Sequence, residues 1–187
     1  MTQNNKRPAV FVDRDGTLIE EVNFLSRVED LQLFAYTPAA ISSLKRTGFL
    51  VIVVTNQSGI GRKLYGDAEL HAIHDQIQDE LNGQIDGFYF CPHLPTDGCA
   101  CRKPNLGMID AALGDFEIDL ENSWIIGDKN LDVETGINAG IRTAMVMTGY
   151  GRNHLPTLGR APDFVGETLL DAANEIVRSM KELKTLN

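Results

Sequence analysis

Two acidic residues at alternate positions, Asp13 and Asp15, stand in the stretch DRDGT, directly after the apolar run AVFV. Far along the chain, Asp128 in the stretch GDKNLD also follows an apolar run. Carboxylates without a neighbouring histidine or cysteine form an oxygen-rich site that suits Mg²⁺, and without a cation they would repel one another. The stretch DRDGT alone would also fit an ordinary turn, but the acidic stretches together predict a magnesium site.

A second metal site is indicated by the stretch CPHLPTDGCACRKP, which contains all three cysteines of the chain. Cys91, His93, Cys99 and Cys101 offer three thiolates and one imidazole, a set that suits a tetrahedral structural Zn²⁺. The alternative is a cluster of buried or redox-active cysteines. We expect structural zinc in a loop over residues 91–104, and we expect a reducing compartment.

Polar and basic residues near the acids could hold an anion. The stretch TNQSGIGR supplies the hydroxyl group of Thr55 and the backbone N–H groups of a turn, donors that suit phosphoryl oxygens. Taken alone, this stretch would be a plain turn after a strand. The basic residues that could neutralise an anion are Arg14, Arg62, Arg102, Lys103 and Lys129, of which Arg14 and Arg62 could equally be surface charges.

The histidines outside the cysteine-rich stretch show no ligand pattern. His71 and His74 share one face of a predicted helix without an accompanying carboxylate or cysteine, so we predict a solvated helix surface there. His154 receives no assigned role, and Trp124 is expected to pack in the core.

Alternating strands and helices must position these residues. Apolar, largely β-branched runs predict strands at Ala9 to Asp13, Phe49 to Asn56, Ser123 to Asp128 and Arg142 to Gly149. Helical patterns span residues 37–48, 67–81, 105–116, 131–140 and 166–183. Such alternation implies right-handed crossovers onto a parallel sheet. We predict a doubly wound, Rossmann-like α/β fold in one domain, residues 1–187, with ligands at the carboxyl ends of the strands.

Composition limits the partners that this chain can have. With 187 residues, of which 43% are hydrophobic, one core is expected. A formal net charge of −9 argues against nucleic acid, which is usually bound by a basic face. The sequence has no run of about 18 apolar residues and no secretory signal pattern, so we expect no membrane partner. We expect a cytoplasmic protein that is a monomer.

The order of these stretches resembles the haloacid dehalogenase superfamily of phosphotransferases, whose four motifs match DRDGTL, Thr55, Lys103 and GDKNLD. The resemblance implies that Asp13 is the nucleophile and forms an aspartyl phosphate. It implies that Asp15 protonates the leaving oxygen and then activates water, which makes the protein a phosphatase. Thr55 and Lys103 would assist at the phosphoryl group, and Mg²⁺ would be held by Asp13, by the backbone carbonyl of Asp15 and by Asp128.

The stretches DRDGT and TNQSG with the cysteine-rich loop are similar to one branch of the superfamily, whose members hydrolyse heptose bisphosphate or histidinol phosphate. These members lack a large cap domain, and the segments after Asp13 and Thr55 are too short to contain one. The resemblance implies these substrate-binding residues: Glu21, Val22, Asn23, Phe24, Thr55, Asn56, Gln57, Ser58, Arg102, Lys103 and Lys129.

The substrate expected from the resemblance is a small phosphosugar. The stretches TNQSGIGR and GDKNLD resemble members that act on heptose 1,7-bisphosphate, whereas the short spacer LPTDG resembles members that act on histidinol phosphate. We favour the heptose bisphosphate and keep histidinol phosphate as the alternative. A polynucleotide 3′-phosphatase and a non-enzymatic zinc module are the less favoured readings, the former because no basic, aromatic-interleaved stripe is present.

Overall fold

A six-stranded parallel sheet forms the centre of the protein in a computed structural model, which describes residues 6–186. Its strands lie in the order β3-β2-β1-β4-β5-β6. They are β1 (Ala9–Val12), β2 (Leu50–Asn56), β3 (Gly87–Cys91), β4 (Trp124–Gly127), β5 (Arg142–Val146) and β6 (Phe164–Gly166). All five neighbouring pairs are parallel, which confirms the predicted doubly wound α/β fold.

Helices connect the strands. They are α1 (Thr37–Thr47), α2 (Ser58–Gly61), α3 (Asp67–Glu80), α4 (Gly107–Asp115), α5 (Asn130–Ala139), α6 (Gly151–His154) and α7 (Leu169–Leu186). Short 3₁₀ helices lie at Val28–Asp30, Leu120–Asn122 and Leu155–Thr157. All five predicted helices are present, with ends that differ by a few residues. Among the described residues, none of the helices has the length and apolar content needed to cross a membrane.

Two strands were absent from the sequence prediction. β3 has the aromatic sequence GFYFC and ends at Cys91, the first cysteine of the predicted zinc-binding stretch. The turn residues of that stretch mask the strand signal. β6 has only three residues and lies at the edge of the sheet, where Val165 is exposed. Neither strand shows the long buried run that identified β2.

The core lies on both faces of the sheet, because successive side chains of a strand point in opposite directions. Val10 and Val12 of β1 belong to the cluster that includes residues of α1, α3 and α7. Ala9 and Phe11 belong to the opposite cluster, with Met108 and other residues of α4. The strands are therefore covered on both sides, which explains their almost purely apolar sequences.

The chain extends the sheet from β1 in two opposite directions. β2 and β3 lie on one side of β1, and β4, β5 and β6 lie on the other, so the order reverses between β1 and β4. A crevice forms at the carboxyl ends of the strands at such a point. The backbone N–H group of Asp13 donates to the carbonyl oxygen of Ile126, 2.9 Å away, and joins the two strand ends. The described loop after β1 contains only a 3₁₀ helix, and the one after β2 only α2, so this part of the chain has no large cap domain.

Candidate active site

Two buried carboxylates meet at this crevice, Asp13 after β1 and Asp128 after β4. Their side chains lie close enough that oxygens of Asp13, Asp128 and Asp132 are all within 4.8 Å of one another. Burial, and then the nearby charge of Asp13, raises the pKa of Asp128 to about 8. One oxygen of Asp128 accepts a hydrogen bond from the backbone N–H of Tyr150 at 2.8 Å, and the other is buried without a hydrogen-bond partner.

Two glycines leave the space around Asp128 open. Gly16 and Gly149 have positive φ angles of 82° and 52°, a conformation that other residues adopt only with strain. A Cβ atom added at either position would lie 2.4 Å or 2.2 Å from Oδ2 of Asp128. A side chain at either position would clash with the carboxylate of Asp128, which explains why both positions need glycine.

The donor set here fits Mg²⁺. The two carboxylates are hard oxygen ligands. A divalent cation would reduce their mutual repulsion, and it would bind the oxygen of Asp128 that lacks a hydrogen-bond partner. The side chain of Asp15 turns toward Arg14 and Gln57, so its backbone oxygen stays the predicted ligand. Asp132 belongs to the same cluster of carboxylates, but its side chain binds Lys103.

Lys103 is buried beside Asp13. Its Nζ atom lies 2.9 Å from Oδ1 of Asp13 and 2.5 Å from Oδ1 of Asp132, and it also donates to the carbonyl oxygen of Val54 at 2.8 Å. Burial alone would lower the pKa of Lys103, but the carboxylates of Asp13 and Asp132 raise it above its ordinary value. Burial would likewise raise the pKa of Asp13, but Lys103 and Lys129 hold it below its usual range. Asp13 is therefore an ionised carboxylate.

The backbone of Lys103 is fixed by Asn56 at the end of β2. The N–H group of Lys103 donates to Oδ1 of Asn56 at 3.0 Å, and Nδ2 of Asn56 donates to the carbonyl oxygen of Lys103 at 3.3 Å. Asn56 was predicted to bind substrate, and in the structure its side chain joins β2 to the cysteine-rich loop. Arg102, predicted to face the phosphate, donates to the backbone oxygen of His93 at 3.3 Å.

Asp15 is surrounded by donors. Arg14 donates to it through Nη2 at 2.9 Å and through Nε at 3.1 Å, and Nε2 of Gln57 donates at 2.8 Å. The hydroxyl group of Thr55 is 3.5 Å from the same carboxylate. Arg14 is completely buried, so the reading of Arg14 as a surface charge is wrong.

His74 lies behind Arg14. Its ring stacks on Phe88 with 4.5 Å between centroids, and its Nε2 atom is 3.5 Å from Nη1 of Arg14. Burial and then the Arg14 charge lower the pKa of His74 to about 3, so the ring is neutral. The prediction of a solvated helix surface is wrong for His74, although His71 is exposed. His154, which had no assigned role, contacts Asn130 through its Nδ1 atom at 2.7 Å from Oδ1.

Two adjoining cavities open over these side chains. The inner cavity has a volume of about 30 Å³ and is lined by Asp13 and Thr55. The outer cavity has a volume of about 190 Å³ and is lined by most residues that were predicted to bind substrate: Glu21, Val22, Asn23, Phe24, Asn56, Gln57, Ser58 and Lys129. Asp15 lines both cavities, and so do Asn56 and Lys129. A small charged group can therefore enter the inner cavity while the rest of its molecule occupies the outer one.

The outer cavity is charged at its base and aromatic at its rim. Nζ of Lys129 lies 3.1 Å from Oε2 of Glu21 and 5.0 Å from the ring centroid of Tyr150. Burial would lower the pKa of Lys129, but Asp13, Asp128 and Glu21 raise it, so Lys129 remains a cation. Phe24 is partly exposed, and the guanidinium of Arg62 lies 5.5 Å from its ring centroid.

The four predicted zinc ligands converge in a separate cluster. Sγ of Cys91 is 3.5 Å from Sγ of Cys99, and Nδ1 of His93 is 3.2 Å from Sγ of Cys101. A tetrahedral site with Zn–S bonds of about 2.3 Å separates its sulfur atoms by about 3.8 Å, which is close to these distances. The cysteines form no disulfide, and burial raises the pKa of the Cys91 thiol to about 12. The cluster therefore fits a Zn²⁺ ion with all four ligands from the protein.

Sequence reasoning missed two contributors to the acid site. Asp132, in the stretch GDKNLD, had no predicted role, although its position four residues after Asp128 places it on the first turn of α5. Tyr65 gave no signal, because its hydroxyl group meets Gln57 only after the turn that follows β2 has folded.

Known proteins resemble this chain over most of its length. The HAD-hydrolase-like family matches residues 100–172. The D-glycero-D-manno-heptose-1,7-bisphosphate 7-phosphatase of Thermosynechococcus vestitus is 37% identical, with 91% of this chain and 95% of that protein covered. The D-glycero-beta-D-manno-heptose-1,7-bisphosphate 7-phosphatase of Escherichia coli is 32% identical, with coverages of 93% and 96%.

A solved structure shows the same similarity in three dimensions. The crystal structure of D,D-heptose 1,7-bisphosphate phosphatase from B. bronchiseptica, complexed with magnesium and phosphate, superposes with a TM-score of 0.85 and 32% identity. The superposition covers 92% of this chain and 99% of the other. Sequence and fold therefore point to the same group of proteins.

Proposed function

Because the chain belongs to the haloacid dehalogenase-like phosphatases, we propose that it removes the 7-phosphate of D-glycero-D-manno-heptose 1,7-bisphosphate through an aspartyl-phosphate intermediate, with Mg²⁺ as the catalytic cation. The choice of substrate is supported by the names of relatives that match more than nine tenths of the chain. The chemistry is supported chiefly by one observation, the buried ionised carboxylate of Asp13 beside Lys103 at the wall of the inner cavity.

In the first step, a carboxylate oxygen of Asp13 attacks phosphorus, and the bond between phosphorus and the sugar oxygen breaks. Asp13 suits this role because its low pKa keeps it unprotonated and because Lys103 fixes one of its two oxygens. Lys103 also supplies positive charge beside the phosphoryl group that is transferred. An anionic protein can thus bind an anionic substrate through local cations.

Asp15 carries the proton that it took from water in the preceding turnover and gives it to the departing sugar oxygen, which leaves with the electron pair of the broken bond. In the second step, Asp15 takes a proton from the water molecule that attacks the aspartyl phosphate, and inorganic phosphate and the Asp13 carboxylate are released. The position of Asp15 between the two cavities supports both roles.

Asp13, Asp128 and the backbone oxygen of Asp15 would hold Mg²⁺. When bound, the cation neutralises charge on the phosphoryl oxygens and so reduces their repulsion of the nucleophile. The phosphatase of known structure from B. bronchiseptica was crystallised with magnesium and phosphate, which supports this assignment.

The outer cavity would bind the remainder of the sugar. Its Glu21 and Asn23 can hydrogen-bond to hydroxyl groups, and Lys129 can contact an oxygen of the bound phosphate. The Zn²⁺ cluster would have a structural role, because its four protein ligands leave no position for water or substrate.

The test is phosphate release from both anomers of the heptose bisphosphate, with Mg²⁺ present and with ³¹P NMR to identify the phosphate that is lost. We expect loss of the 7-phosphate and retention of the 1-phosphate. Release of the 1-phosphate, or no turnover of either anomer, would contradict the proposed substrate.

Histidinol phosphate is the second candidate, because the spacer between His93 and Cys99 is only five residues long. It belongs in the same assay, with a 3′-phosphorylated oligonucleotide as a third substrate. A kcat/KM for histidinol phosphate above that for both heptose anomers would replace the first proposal with this one.

A further inference from the structure

The side-chain amide of Gln57 is completely used within the protein. Its Nε2 group donates to Oδ2 of Asp15 at 2.8 Å and to Oγ1 of Thr55 at 2.7 Å. Its Oε1 atom accepts from Nη2 of Arg14 at 3.0 Å and from the hydroxyl group of Tyr65 at 2.6 Å. An amide has two N–H donors and two acceptor positions, so Gln57 has none left for a substrate.

The charges around Gln57 allow only one orientation of its amide. The guanidinium of Arg14 on one side requires an acceptor, and the carboxylate of Asp15 on the other side requires a donor. A flipped amide would place its N–H groups against a cation and its oxygen against an anion. Gln57 is 4% exposed, which makes such misplaced contacts costly.

Arg14 is in turn supported from behind. It donates to both oxygens of Asp15, and its remaining Nη1 group faces the neutral ring of His74, which is stacked on Phe88. The carboxylate of Asp15 is thus held through Arg14 by α3 and through Gln57 by the turn after β2.

We propose that Gln57 is a positioning residue for Asp15, with its own amide oriented by Tyr65 and Arg14, rather than a ligand of the substrate. This inference rests on the proposed function, since it concerns the proton that Asp15 gives to the sugar oxygen. That proton is needed when the leaving group is an alkoxide, whereas p-nitrophenolate departs without one. A comparison of activity with the two leaving groups therefore distinguishes a loss of Asp15 positioning from a general loss of activity.

The test replaces Gln57→Glu, which keeps the shape of the side chain and substitutes an oxygen for the N–H donor. We expect kcat/KM for the heptose bisphosphate to fall by about 10²-fold with KM nearly constant. For p-nitrophenyl phosphate, kcat/KM should stay within about threefold, because formation of the aspartyl phosphate then needs no acid. Tyr65→Phe removes one hydroxyl group and should show the same selectivity at about fivefold.

Matched controls measure the effect of the same polar changes at positions away from the site. Gln78→Glu replaces an amide whose two ends hydrogen-bond the backbone of Ile85, and Tyr89→Phe removes a hydroxyl group that donates to Asp115. Both controls should leave the ratio of the two kcat/KM values unchanged. Equal losses for both substrates in the Gln57 variant, or no loss at all, would overturn the positioning role.

Failure of the proposed function gives a different result. If wild-type protein hydrolyses histidinol phosphate but no heptose bisphosphate, the same comparison is made with histidinol phosphate as the alkyl substrate. If p-nitrophenyl phosphate is not hydrolysed, crystal structures of wild-type and Gln57→Glu proteins decide the question. We expect the Asp15 carboxylate to leave its wild-type position in the variant, and an unmoved carboxylate would overturn the inference.

Discussion

The two clusters of metal-ligand side chains are organised in opposite ways. Asp13 and Asp128 are far apart in the sequence and are brought together by the neighbouring strands β1 and β4. The cluster of Cys91, His93, Cys99 and Cys101 comes from the last residue of β3 and the loop that leads from it to α4. The first cluster is positioned by the hydrophobic core, whereas the second has few apolar residues of its own and would depend on the proposed zinc ion. Under the proposed function, the difference separates a site that performs chemistry from one that stabilises the fold.

The largest effect is expected from Asp13→Asn. Loss of the nucleophile should lower kcat by about 10⁴-fold or more, because no other group can form the intermediate. Zinc content and the melting temperature should stay close to those of the wild-type protein. Turnover near the wild-type rate, measured by phosphate release, would break the assignment of chemistry to the acid cluster.

Omission of Mg²⁺ should have the next largest effect. We expect kcat to fall by about 10³-fold and to recover when Mg²⁺ is added, since without the cation the ionised carboxylate of Asp13 would repel an anionic substrate. Metal analysis should find zinc still bound. Full activity in carefully demetallated buffer, with zinc as the only metal, would show that the acid cluster does not need Mg²⁺ for catalysis.

Replacement of Cys99→Ser should act indirectly. Loss of zinc should lower kcat by about tenfold, because Lys103 is attached to the same loop and must remain beside Asp13. Proteolysis of the loop should become faster, although the N–H of Gln57 still donates to the carbonyl oxygen of Cys91. A variant that loses zinc but keeps its loop structure and activity would contradict the structural role of the metal.

The last expected effect is on folding stability rather than turnover, and it concerns the buried support behind Asp15. The pKa of His74 is lowered to about 3, below its unfolded value of 6.5, so the unfolded chain binds a proton that the folded protein does not. Folding stability is therefore unaffected above pH 6.5 and decreases as the pH falls below it, by about 2 kcal/mol at pH 5.

The measurement is denaturant unfolding at pH 7 and pH 5. Between these values, wild-type protein should lose about 2 kcal/mol more of its free energy of unfolding than His74→Phe does. His71→Phe, at an exposed position of the same helix, is the matched control and should behave like wild type. Equal losses in wild-type protein and the His74 variant would mean that His74 is not held neutral.

The sequence was sufficient for the parts of the site that follow local patterns. The apolar run before Asp13 and the one before Asp128 predicted strands whose ends meet, and the spacing of the cysteines predicted a local cluster. The contact of Arg14 with His74 was not predictable, because it joins residues sixty positions apart through the packing of α3. For the same reason, Gln57 was assigned to the substrate although its partners are other side chains.

The central claim is that Asp13 forms a covalent aspartyl phosphate, and acid-quenched mass spectrometry tests it most directly. Wild-type protein is mixed with the heptose bisphosphate and Mg²⁺, quenched during turnover and digested. We predict that the peptide containing Asp13 gains the mass of one phosphoryl group and that fragmentation assigns it to Asp13. A phosphoryl group on another residue, or turnover with Asp13 unmodified at every quench time, would contradict the account.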